Sequence, residues 1–345
     1  AVARGGNELR TFTPTLDAFL RSLGVSHTRF VDDTDLAWYV YRSLFTTRSV
    51  DAPAVRHIGA QYLEREDGFV VRAVLEGSPA AAAGLRRGDR ILRADGAPFD
   101  PVPAFVGGGP VLLELARGAS VLRTRVRPIR AGLQRSFLEA TRRSIAIRAY
   151  EGRRFGCIHL WAGTDDAFLS LLTETVTKTF KDVDGMLLDL RGGFGGAWHP
   201  YLDPFFPDRS AYFQATIVTR DGTGETFGAE PRTNPDAWQG PLVVLVDEGV
   251  RSGKESLAHQ FSRSSRAPLV GTRTAGAFTA GTDVLGDPLE VPYVLYLATA
   301  ELLLDGRRIE GVGVAPDVAV PWPLDDAPDH DPQLARGLAE LRARA

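Results

Sequence analysis

Reactive residue types are scarce in this sequence. Its 345 residues include one cysteine, Cys157, which excludes an internal disulfide framework and any cysteine-rich metal site. Cys157 lies in the run "RRFGCIHLWAG", where a small buried hydrophobe is expected rather than a reactive thiol. Lysine is nearly absent: Lys178, Lys181 and Lys254 are the only lysines in a total of 40 Lys plus Arg, so a lysine base has few candidates. No apolar run approaches the ~20 residues of a membrane helix, and a net charge of −3 gives no basic field for a nucleic-acid backbone. The six histidines do not cluster, no HExxH motif occurs, and no GK[ST] follows the glycine-rich "VGGGP" of residues 106–110. Neither a metal nor a cofactor is therefore expected. The chain begins at Ala1 and its one methionine is Met186, so a processed chain is expected, in a periplasmic or extracellular setting; a cytoplasmic one is also compatible with the composition.

What remains is ordinary globular material, 44% hydrophobic and 24% charged, with room for more than one core. Helical spacing of Leu16, Phe19, Leu20 and Leu23, closed by Gly24, predicts a helix over Pro14 to Leu23. A second is predicted through "DTDLAWYVYRSLF". Residues 1–50 thus read as a helical lead-in. From 54 to 130 the pattern changes to short β-type runs (60–63, 69–74, 111–115, 121–126) broken by Gly, Pro and Asp. From 131 to 325 apolar runs such as "GMLLDL" and "PLVVLV" alternate with helical patterns, the signature of an α/β layer with buried parallel strands. Near its end, "YVLYLATAELLLDGRRIEG" predicts two strands and a third short run joined through Asp305-Gly306. Residues 326–345 read as a linker and a surface helix.

Ser252, in "LVDEGVRSGKESLAHQF", is open to two readings. "SGKE" has the capping-box form, with Glu255 three residues on. The same serine follows an apolar strand and heads a helix, where reactive groups collect and N–H donors face an incoming oxyanion. A glycine-rich turn, "LLDLRGGFGGAW", ends an earlier apolar strand and exposes backbone without side-chain obstruction.

Two resemblances decide between these readings. The string "EGSPAAAAGLRRGDRILRADG", residues 76–96, resembles a PDZ domain of the bacterial protease type. His57, Ile58, Gly59 and Ala60 then fall where that family's carboxylate-binding loop begins, implying capture of a peptide C-terminus beside an open strand edge. The ordered series "LDLRGGFGG", "VDEGVRSGKESLA", "GTRTAG" and "GVGVAPDV" resembles the S41 serine peptidases, which include the carboxy-terminal processing proteases and tricorn core protease. The implied fold is α/β, a ClpP/crotonase-like β-β-α superhelix with an inserted PDZ domain, and the implied nucleophile is Ser252. In carboxy-terminal processing proteases a lysine base follows the "GTRTxG" string; here Ala277 occupies that place.

With the lysine gone, "LGVSHT" resembles the Ser-His element of tricorn-type members, implying His27 as base and Ser26 as auxiliary hydroxyl. Glu310, in "IEGVGVAPD", matches the acidic position ahead of the GV-x-PD string. The expected tetrad is Ser252, His27, Ser26 and Glu310, with Gly253 and Gly193 as oxyanion donors. The expected function is proteolysis of extended polypeptides, with a polypeptide as the partner. Ala277 leaves open a non-catalytic peptide-binding scaffold on the same fold; an acyl-CoA enzyme on the related crotonase core would not use the PDZ string or the serine.

Overall fold

A computed structural model describes residues 2–44, 53–286, 291–325, 327 and 330–345. The strands Gly185–Asp189 and Leu242–Val246 are buried at every position. A strand with no wet face has no reason to alternate, which is why both read as unbroken apolar runs. They are the centre of a six-stranded sheet ordered Ala146–Tyr150, Arg153–His159, Gly185–Asp189, Leu242–Val246, Leu269–Gly271, Val318–Ala319. Neighbours run parallel except the first pair. Parallel strands bring their carboxyl ends to one edge, where Asp189 leads into the glycine loop and Val246 into the turn before Ser252.

The two faces of this sheet are covered by different layers. Leu188, Val244 and Val246 pack with Phe168, Leu257 and Phe261 of the helices Asp166–Glu174 and Gly253–Arg263. Leu187, Val243 and Leu245 point the other way, onto Leu338 and Leu341 of the C-terminal helix Pro332–Arg344. That helix, expected at the surface, instead closes the second face: Leu341 is fully buried. Its short apolar stripe, interrupted by three arginines and Glu340, resembled a solvated helix in sequence.

An antiparallel sheet lies alongside, ordered Arg29–Asp32, Tyr293–Leu304, Ala215–Val218, Gly224–Phe227, with Thr279–Gly286 and Arg307–Arg308 also on Tyr293–Leu304. The two strands expected near residues 293–304 are one twelve-residue strand; it is half-buried along most of its length, so neither composition nor burial marks a break. The N-terminal segment also differs from a purely helical lead-in. Between helices Val2–Ser22 and Leu36–Leu44 it contributes the strand Arg29–Asp32. Asp17 joins helix to strand, accepting from the Phe30 amide at 3.0 Å and from Arg29 Nε at 2.7 Å. The intervening turn, residues 24–28, is thereby held against the rest of the molecule.

Residues 60–126 form a third sheet, ordered Ala60–Arg65, Gly68–Val74, Arg90–Ala94, Val111–Arg117, Ser120–Val126. Its core is Ile58, Val71, Ile91, Leu113 and Phe105. Ser78 caps the short helix Pro79–Ala82 by accepting from the Ala81 amide at 3.2 Å, as the Ser-Pro pair foretells. Ala60–Arg65 ends the strand order, so its outer edge is unpaired among the described residues.

Candidate active site

Ser252 does not cap its helix. Its hydroxyl makes no capping bond, and its φ of 52° lies in the left-handed region, a conformation that costs a non-glycine residue of order 1–3 kcal/mol. Glu255, the other half of the expected capping box, is buried and serves elsewhere. It accepts from Thr274 Oγ1 at 2.6 Å and from the Gly276 and Ala277 amides at 2.7 and 2.9 Å. The Ser252 amide in turn donates to the Ala277 carbonyl at 2.9 Å. The "GTRTAGA" turn is therefore laced to the Ser252 turn, and the serine hydroxyl is left without a partner among the described residues.

Thr279, two residues after Ala277, meets His27: its Oγ1 lies 3.2 Å from His27 Nδ1 and donates to the Ser26 carbonyl at 3.2 Å. Ser26 Oγ lies 2.8 Å from His27 Nδ1 and donates to Glu310 Oε2 at 2.7 Å. Glu310, buried, also accepts from the Ser26 amide at 2.7 Å and the Phe278 amide at 2.6 Å. A serine hydroxyl has one proton, and Glu310 takes it, so Ser26 Oγ must accept from Nδ1–H. Nε2 then carries the imidazole lone pair, and it has no hydrogen-bond partner among the described residues. Burial, with the charge of Arg251 added, pushes the His27 pKa down to about 3. Ser26, His27 and Glu310 are thus brought together; Ser252 reaches them through the segment 277–279, with no hydrogen bond between Ser252 Oγ and His27.

The other five histidines are engaged away from Ser252 or exposed. His159 bonds Glu76 at 3.0 Å and the Arg191 carbonyl at 2.8 Å; His259 bonds Asp305 at 2.8 Å; His199 is buried on the Phe213 carbonyl at 3.0 Å. His57 is buried within the small sheet's base, and His330 is exposed.

The glycine loop requires a correction. Gly193, the expected oxyanion donor, spends its amide on Gln61 Oε1 at 2.7 Å, while Gln61 Nε2 donates to the Gly193 carbonyl at 3.3 Å. The glycine that faces the serine is Gly195: a Cβ there would stand 2.5 Å from Ser252 Cβ and 3.1 Å from the Gly253 amide nitrogen. Gly253 is equally obligatory, since a Cβ would collide with the Ala197 carbonyl. Neither the Gly195 nor the Gly253 amide has an acceptor among the described residues. Four glycines in five residues look alike in sequence; only the path of the loop tells them apart.

Lys254 is the residue sequence reasoning passed over. It is wholly buried, with Nζ donating to the Gly192 carbonyl at 2.7 Å and the Leu160 carbonyl at 3.2 Å. Asp247 accepts from the Gly192 amide at 2.9 Å, so both sides of Gly192 are held. In this position the lysine Nζ is committed to those two carbonyls and makes no hydrogen bond to Ser252. Burial pushes its pKa down to about 7 against the pull of Asp247 and Asp189. Lys254→Met leaves two buried carbonyls unpaired and is expected to cost about 2–4 kcal/mol. Between pH 7 and about 10.5 the unfolded lysine holds a proton that the folded one lacks, so wild-type stability from this group rises with pH there. Thermal unfolding across that range should show the deficit of the variant widening as pH increases.

Residues 57–60 do not present an open cradle. His57, Ile58, Gly59 and Ala60 are all buried, and the Gly59 amide donates to His57 Nδ1 at 3.0 Å. His57 Nε2 lies 3.1 Å from Ser136 Oγ. The imidazole thus sits where a carboxylate would have to meet the Gly59 amide.

No group of three or more His, Cys, Asp or Glu is placed to hold a metal among the described residues, and no helix among them is long and apolar enough to cross a membrane. The profile of Peptidase family S41 matches residues 154–320, and that of the PDZ domain residues 70–106. The carboxy-terminal processing protease CtpA of Bacillus subtilis (strain 168) is 26% identical over 274 residues, 77% of this chain and 56% of the relative. Carboxyl-terminal-processing peptidase 3, chloroplastic, of Arabidopsis thaliana is 29% identical over 271 residues, 72% of this chain and 50% of the relative. The chain therefore spans about half the length of these relatives. Among solved structures, a photosystem II D1 C-terminal processing protease superposes with a TM-score of 0.57 at 22% identity, covering 89% of this chain and 81% of that one. A putative S41 protease from Bacteroides fragilis NCTC 9343 gives 0.57 at 18% identity, covering 95% and 89%. The chain carries a domain of peptidase family S41 together with a PDZ domain.

Proposed function

We propose that this protein is a serine peptidase that hydrolyses extended or unfolded polypeptides, with Ser252 as nucleophile, His27 as general base and Ser26 and Glu310 as its orienting pair. The observation that carries the reading is the hydrogen-bonded series His27 Nδ1, Ser26 Oγ, Glu310 Oε2, which fixes the tautomer a base requires. A strained serine with an uncommitted hydroxyl supports it. Catalytic hydrogen bonds are often long in unliganded enzymes and tighten with substrate, so the Ser252 hydroxyl would meet Nε2 in the substrate complex.

In the first step Ser252 Oγ attacks the scissile carbonyl while its proton passes to His27 Nε2. The imidazolium is stabilised by Ser26 and Glu310, and the amides of Gly253 and Gly195 receive the oxyanion. His27 returns the proton to the leaving amine. Water, deprotonated by the same nitrogen, then hydrolyses the acyl-serine. An extended stretch of the substrate would add along the edge of Ala60–Arg65 that is unpaired among the described residues, by strand addition. Gln61 on that strand already touches the glycine loop, so strand and site are joined through one side chain.

Mass spectrometry of an unfolded polypeptide incubated with the protein tests the reading. New peptide termini are expected with wild type and not with Ser252→Ala. A folded wild type that binds the polypeptide and leaves it intact would favour the scaffold, the reading that Ala277 at the lysine position supports.

A further inference from the structure

Arg251 immediately precedes Ser252, and its guanidinium has no carboxylate and no hydrogen-bond acceptor among the described residues. It stacks over the ring of Phe194, whose centroid lies 5.7 Å from Cζ. Phe194 stands between Gly193 and Gly195, so the cation is held where the nucleophile turn meets the glycine loop. Several other half-buried or buried arginines of this protein are paired with acids: Arg191 with Asp189 and Asp331, Arg87 with Glu248, Arg209 with Asp203, Arg117 with Asp89. The site's own acids are already committed, Glu310 to Ser26 and Phe278, Glu255 to the 274–277 turn. An unpaired cation here has a cost, because its field opposes protonation of His27, the event that the attack of Ser252 requires. A bound anion would remove that opposition.

We propose that Arg251 recognises a carboxylate of the substrate next to the scissile bond, so that the preferred polypeptides carry a negative charge there. The charge has two chemical sources. It is the α-carboxylate of a short C-terminal piece being trimmed, or the side chain of an Asp or Glu flanking the cut. Both suit a guanidinium, which pairs with a carboxylate through two parallel N–H donors. Binding would order the peptide beside Ser252 and cancel the positive field at His27 as the reaction begins. The inference rests on the peptidase reading for its catalytic consequence but not for its binding consequence.

The test uses one fluorescent peptide in four forms: C-terminal acid or amide, crossed with Asp or Asn at the flanking position. Hydrolysis is measured with wild type, Arg251→Gln and Arg251→Lys, and binding with Ser252→Ala and Ser252→Ala/Arg251→Gln. Wild type is expected to favour a charged form over its neutral counterpart by about tenfold or more in kcat/KM, the scale of one charge-assisted hydrogen bond. Arg251→Gln should bring that ratio to about one, and Arg251→Lys should restore part of it. Loss of discrimination between acid and amide assigns the α-carboxylate; loss between Asp and Asn assigns the side chain. A charged-over-neutral preference that persists in Arg251→Gln, or its absence in wild type, overturns the proposal. If no form is hydrolysed but Ser252→Ala binds the charged peptide more tightly only when Arg251 is present, the carboxylate assignment stands and the peptidase reading falls.

Discussion

Ser252→Ala is expected to reduce kcat by about 10⁴–10⁶ with little change in KM or in melting temperature, measured on a quenched peptide substrate and by calorimetry. The magnitude follows from removal of a nucleophile that acts as a unit with its base. The unchanged stability follows from the hydroxyl's having no partner among the described residues, so its loss unpairs nothing. A helix N-cap would behave otherwise, since Ser→Ala at a cap costs ~1 kcal/mol. Ser252→Gly extends the test. It should be equally inactive yet more stable than Ser252→Ala by roughly 1 kcal/mol, because glycine accepts the φ of 52° that alanine does not. A capping serine predicts loss of stability and retained activity; a nucleophile on a strained turn predicts the reverse.

His27→Ala should reduce kcat by a comparable factor, and it should also change the response to acid. The His27 pKa is pushed down to about 3 by burial first and by the Arg251 charge second. Between that value and the ordinary histidine value near 6.5 the unfolded chain binds a proton that the folded chain refuses. Wild-type stability from this group is therefore complete above about pH 6.5 and is lost as pH falls toward 3. His27→Ala has no such loss, so the variant should gain on wild type as pH drops from 6.5 to 4.5 in thermal scans. In kcat/KM for wild type, the acid limb belonging to His27 should lie well below pH 6. A limb centred at 6.5 would mean an exposed histidine, in conflict with the burial seen here.

These residues were legible in the sequence to different degrees. The buried parallel strands announce themselves, because "GMLLDL" and "PLVVLV" have no polar face to alternate with. Ser252 could be located by its place after such a strand, but not distinguished from a cap, since the capping box and the laced turn both use Glu255 at the same spacing. His27 and Glu310 lie 283 positions apart and are joined by strand pairing of Arg29–Asp32 with Tyr293–Leu304; only resemblance, not spacing, could connect them. Gly193 was chosen over Gly195 because four glycines in one turn carry no label, and what separates them is the side chain of Gln61, 132 residues away. Lys254 stood in the sequence only as one of three lysines. Its burial follows from the helix inserting its first turn between the glycine loop and Leu160, which is a tertiary fact. The C-terminal helix was assigned to the surface for a related reason: its partner face belongs to strands whose two sides are both apolar.

The most direct measurement is covalent. Wild type, Ser252→Ala, His27→Ala and Glu310→Gln are treated with a fluorophosphonate and the adduct is mapped by intact mass and peptide sequencing. A single adduct on Ser252, absent from Ser252→Ala and His27→Ala and slowed in Glu310→Gln, is the result predicted for a serine activated through His27, Ser26 and Glu310. Labelling of Ser252 at the same rate in His27→Ala, or no labelling of folded wild type, would contradict it.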